Sequence, residues 1–157
     1  MVNNLLIAAI GGLVGTSLMT GMMLLGKRMR LPAVDAHGIL GFVQYADRAS
    51  SLGYVMHWLM GAIFALGYAL IFRTVAGNLI VLGAILGIIH WLVVGWMFSL
   101  APYVHAGMKA GTVEETGAYM LKSLGFLGVI AGGIGHIVFG IAVALVYSWL
   151  GGTTPLP

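Results

Sequence analysis

The chain has 157 residues, no cysteine and only four acidic side chains. The missing cysteine excludes disulfides and thiolate metal sites, though it assigns no compartment. Together with seven Lys and Arg, the scarcity of acids leaves charged residues at 7% of the chain against 61% hydrophobic. The mean hydropathy is +1.06. A water-soluble domain of this length cannot cover itself with so few charges. Motifs of two common chemistries are also missing: there is no Gly-Lys-Ser/Thr phosphate loop and no His-Glu-x-x-His helix.

What is present is apolar sequence in long runs. Four stretches, about 3–26, 52–72, 76–100 and 123–150, are long and uncharged enough to read as membrane-spanning helices. The last exceeds one bilayer crossing and is expected to tilt or protrude. No carboxylate falls within any of the four, which argues against a pump driven by carboxylate protonation. Little chain is left for an extramembrane module. The expected fold class is therefore an all-α membrane protein of four transmembrane helices.

The net charge of +3 and isoelectric point near 9.5 suggest nucleic acid at first sight. The placement of the basic residues argues otherwise. Lys27, Arg28, Arg30 and Arg48 fall between the first two spans, Lys109 and Lys122 between the last two, and Arg73 alone between the middle pair. The positive-inside rule then puts loops 27–51 and 101–122 in the cytoplasm and both termini outside. No nucleic-acid partner is expected. The basic residues follow the first apolar run rather than precede it, which is not the order of a signal peptide.

One segment occurs twice. Residues 53–68 read GYVMHWLMGAIFALGY and residues 132–147 read GGIGHIVFGIAVALVY. They share Gly53 and Gly132, His57 and His136, Gly61 and Gly140, an Ala, a Leu, and Tyr68 and Tyr147 at equal spacing. The chain thus reads as two tandem pseudo-symmetric hairpins, a parallel repeat about an axis along the membrane normal. For spans one and three the likeness is weaker, with Gly21-Met22-Met23 laid on Gly95-Trp96-Met97. At 100° per residue the shared Gly, His and Tyr fall on one stripe, while Leu66 and Leu145 point away.

That stripe has two physical readings. In the first, small residues four apart let helices approach closely and each His bonds across the contact. In the second, His57 and His136 face each other across the pseudo-axis and hold one metal or tetrapyrrole iron, with Gly53, Gly61, Gly132 and Gly140 making room for the macrocycle. Haem b is then the first candidate, and chlorophyll or copper come after it. Haem propionates want a cation, and only Arg73 lies toward the outer ends of spans two and three. His90, the third intramembrane His, either bonds inside the bundle or completes a three-His site. Met19, Met22, Met23, Met56 and Met60 suit copper(I), yet Met is more often filler of irregular apolar space. Thr16, Ser17 and Thr20 can bond their own helix or a neighbour. His37 and His105 read as surface residues. Thr112-Val113-Glu114-Glu115 has the pattern of a capping box that starts a short helix through Leu121. The segment from Leu31 to Val43 reads as a short interfacial helix.

The order of Gly12-Leu13-Val14-Gly15-Thr16-Ser17-Leu18-Met19, His57-x-x-x-Gly61, Gly87-Ile88-Ile89-His90-Trp91 and Gly135-His136-Ile137-Val138-Phe139-Gly140 resembles a group of small four-span bacterial membrane proteins catalogued only as a domain of unknown function. The resemblance covers nearly the whole chain and implies the four-helix fold in a bacterial inner membrane. It carries no activity. The residues themselves favour a non-enzymatic protein of the lipid bilayer, an accessory or structural subunit that associates with itself or with other membrane protein subunits. The alternatives are a bis-His haem protein of electron transfer and a small transporter or channel.

Overall fold

The computed structural model describes residues 2–31 and 46–154. The expected interfacial helix and His37 lie outside the described residues. Four long helices dominate: α1 (Val2–Arg28), α2 (Ala46–Phe72), α3 (Leu79–Met97) and, after three short α-helical turns and two 3-10 turns (Phe98–Leu100 and Ala118–Met120), α7 (Phe126–Trp149). The short pieces are α4 (Ala101–Val104), α5 (Ala106–Lys109) and α6 (Leu121–Leu124). The segments Asn3–Arg28, Ser51–Phe72, Leu79–Val104 and Phe126–Trp149 are each apolar and long enough to cross a membrane.

Local chemistry sets the helix ends. At the end of α1, Arg30 adopts φ +58, and the Leu31 N–H closes on the Gly26 carbonyl at 3.0 Å, a left-handed cap. Lys27 and Arg28 occupy its last turn, where cations suit the helix dipole. Asn78 starts α3 later than the sequence pattern suggests, because its side chain accepts from the N–H groups of Ile80 (2.9 Å) and Val81 (3.2 Å). The long fourth span is broken near its start. Gly125, at φ 59 and ψ −149, separates α6 from α7, so the crossing helix begins at Phe126.

Two expectations for the loop between α3 and α7 fail. Residues 112–115 start no helix. Instead the Thr112 hydroxyl donates to the Gly107 carbonyl at 3.1 Å, so this residue closes the turn before it. His105 is buried, not a surface residue. Its Nδ1 accepts from the Met108 N–H at 3.2 Å and caps α5, which folds the ring under the turn.

The helices form two hairpins, α1 with α2 and α3 with α7, and α1 also packs closely on α7. The order around the bundle is therefore α2, α1, α7, α3. Helices α2 and α3 scarcely touch through their backbones; aromatic side chains fill the space between them. The core runs through Ala8, Met19, Ala65, Tyr68, Phe72, Leu86, Phe139, Val143 and Tyr147. The start of α1 and the segment after α7 share one end of the bundle, where Thr153 bonds Asn4. This is the termini end; the opposite one is the loop end.

Candidate functional site

The repeat appears as matched helix contacts. A methyl group added at Gly12 would overlap the Gly61 carbonyl and stand 2.8 Å from the Ala65 Cβ. One added at Gly83 would overlap the Gly140 carbonyl and stand 2.8 Å from the Ala144 Cβ. Since Gly61 and Ala65 correspond to Gly140 and Ala144, Gly12 must correspond to Gly83. Both hairpins thus use glycine where two backbones meet. This register replaces the one read from Gly21 and Gly95. Among the described residues nothing stands within 4 Å of a Cβ at Gly21, whereas Gly95 lies against the Tyr119 ring. In the observed register Thr16 lies on Gly87, Met19 on His90, and Thr20 on Trp91.

The glycines of the stripe are occupied by this chain's own packing. Thr16 Oγ1 stands where a Cβ on Gly61 would be. The Trp91 indole covers Gly132, and Gly83 covers Gly140. Gly53 is buried. In place of an open slot for a flat ligand, the centre of the bundle is filled with rings.

Each repeated His contacts its own hairpin partner. Thr20 Oγ1 lies 3.4 Å from His57 Nδ1, a long hydrogen bond between α1 and α2. The equivalent pair is Trp91 and His136, whose rings lie 5.0 Å apart at 31°. His136 Nδ1 lies 2.8 Å from the Gly132 carbonyl. A carbonyl only accepts, so Nδ1 carries the proton and Nε2 keeps a lone pair.

His90 is the residue whose importance the sequence understated. Its ring meets His136 at 4.8 Å and 84°, Phe64 at 4.0 Å, and Phe139 at 5.5 Å. Its Nδ1 lies 3.4 Å from the Tyr68 hydroxyl. Among the described residues, no group of three His, Cys, Asp or Glu side chains is arranged to hold a metal ion. His90 and His136 meet ring to ring, and His57 is near enough to His90 to act on it electrostatically.

A column of rings extends from this pair toward both ends. Toward the loop end, Trp91 meets Tyr119 at 5.6 Å, and its Nε1–H donates to the Val129 carbonyl at 3.0 Å. Toward the termini end, Tyr68 meets Phe72 at 6.1 Å, and Phe72 meets Tyr147 at 5.3 Å. The Tyr147 hydroxyl donates to the Thr153 carbonyl at 3.0 Å. Tyr68 and Tyr147 hold corresponding positions in the two copies, yet their hydroxyls serve different partners. Tyr119 and Phe64 carried no signal in the sequence, because nothing in their spacing relates them to a histidine on another helix.

Ser17 bonds its own helix, donating to the Leu13 carbonyl at 2.8 Å, while Thr20 reaches the neighbour. A comparison of the chain with protein-family models, curated proteins and solved structures finds no match. The chain is a small all-helical protein with four helices of membrane-spanning length and apolar composition. These features are consistent with an integral membrane location.

Proposed function

We propose that this protein is a non-enzymatic subunit of a membrane assembly, formed with further copies of itself or with other membrane proteins. The observation that carries this reading is the use of the repeated Gly and His residues. They join helices within the chain, at Gly12–Gly61, Gly83–Gly140, Thr20–His57 and Trp91–His136. An interior filled in this way acts as a frame. The faces left for other molecules are the outer ones, and there Gly21 and Gly67 have nothing within 4 Å among the described residues, so another helix can approach them closely. The basic residues at the loop end support placing that end in the cytoplasm of a bacterial inner membrane.

A second reading, ligation of one haem iron by His57 and His136, draws on a single contact. The Nδ1 bond to Gly132 leaves His136 with a free lone pair on Nε2, the stance of many metal-bound histidines. It requires Trp91 to leave Gly132. One preparation in mild detergent tests both readings. A mass by light scattering that exceeds one chain, or a partner retained at fixed ratio, supports the subunit. A monomer with a stoichiometric reduced Soret band would replace it with the haem protein.

A further inference from the structure

The strained part of the molecule lies at the loop end, over the ring column. Gly117, Tyr119, Met120 and Gly125 all adopt positive φ, at 66, 53, 60 and 59. Glycine takes this conformation freely, but Tyr and Met do so at a cost and persist there only when their surroundings enforce it. The enforcing contacts are specific. The Tyr119 hydroxyl donates to the Leu92 carbonyl at 2.8 Å. Its ring lies across Gly95, where a methyl group would overlap it, and meets the edge of Trp91. The Lys122 N–H donates to the Thr116 carbonyl at 2.9 Å, and the Thr116 hydroxyl donates to Phe98 at 3.3 Å. Outside these contacts, Lys122 and Glu115 make an exposed ion pair at 2.5 Å, which contributes little to holding the segment down.

We infer that the segment from Gly117 to Gly125 is a hinged cap, with Tyr119 as its plug and the two glycines as its hinges. Seated, it closes the loop end of the bundle over Trp91, and through Trp91 over His136. Released, it relieves the left-handed backbone at Tyr119 and Met120 and opens that end of the core to water-borne solutes. The contacts opposing release are one hydrogen bond, one ring in a glycine-lined notch, a short polar network and the approach of Met120 and Leu124 to Gly128 at the start of α7. Segments held by few contacts open at the low end of a protein's stability range.

The lack of cysteine makes the test direct. A Cβ at Gly133 would lie 3.4 Å from Trp91, an ordinary contact, so Gly133→Cys places a single thiol against the ring that Tyr119 meets. Its reaction with a charged thiol reagent that does not enter lipid is timed in the full chain. Adding Tyr119→Phe removes one hydrogen bond and is expected to speed labelling about fivefold. Adding Tyr119→Ala also removes the ring and is expected to speed it at least about tenfold. Equal rates in all three proteins would overturn the cap. If Tyr119→Ala loses its helical circular dichroism, the Phe variant decides alone, and a rate within about twofold of the parent would refute the inference.

Discussion

The two hairpins are built alike at the middle and differently one turn away. In both, a glycine on the first helix meets a glycine and an alanine on the second, with matching separations. The next turn carries Thr20 against His57 in one hairpin and Trp91 against His136 in the other. The outer faces differ as well. Gly11 and Gly15 on α1 let Val143 and Phe139 of α7 come into contact. The corresponding Leu82 and Leu86 on α3 pack into the core instead and, with Phe64 and Tyr68, hold α2 at a distance. Repetition therefore accounts for each hairpin. The positions that are not repeated decide how the hairpins join, and they make α1–α7 close and α2–α3 open.

The comparison breaks most readily at Trp91. Trp91→Ala should cost about 3–5 kcal/mol, since the indole fills the space over Gly132 and its removal leaves a cavity there. The equivalent Thr20→Ala should cost below about 1 kcal/mol, the worth of a long intramembrane hydrogen bond. Unfolding of both variants in mixed micelles measures the difference, and equal losses would mean that the two sites are not differently built.

Next come Gly12→Ala and Gly83→Ala. Each puts a methyl group into a neighbouring backbone, and each should lose about 1–3 kcal/mol. The sharper expectation is that the two losses agree to within about 0.5 kcal/mol, because the contacts correspond. A large disparity would dissolve the pairing of Gly12 with Gly83.

The smallest effect belongs to the tyrosines. Tyr147→Phe removes a 3.0 Å bond to Thr153 and should cost about 1 kcal/mol. Tyr68→Phe removes only a 3.4 Å approach to His90 and should cost less than half of that, about 0.5 kcal/mol or below. The order of the two melting temperatures is the readout; a larger loss at Tyr68 would make its contact with His90 the stronger one.

The sequence alone determined the membrane class, the four helices and the repeat. Hydrophobic length and the scarcity of charge leave a chain few other options, and Gly-x-x-x-His-x-x-x-Gly is visible without coordinates. Sequence also showed that the shared residues lie on one stripe, since helical periodicity is a local property. It could not give the register of α1 on α3, because only Gly12 and Gly83 meet equivalent partners and a single glycine is invisible among 25. Nor could it place the break at Gly125, where a left-handed residue ends one helix and starts another within a continuous apolar run.

Only the tertiary structure decided which histidines meet. Symmetry pairs His57 with His136; in the structure His90 lies ring to ring with His136 and within electrostatic reach of His57. The physical reason is that helix packing is governed by side-chain volume at the crossing points, which periodicity does not encode. Glycines on α1 drew it against α7, leucines and aromatic rings kept α3 from α2, and His90 came to lie between Phe64 and His136 in the space that remained.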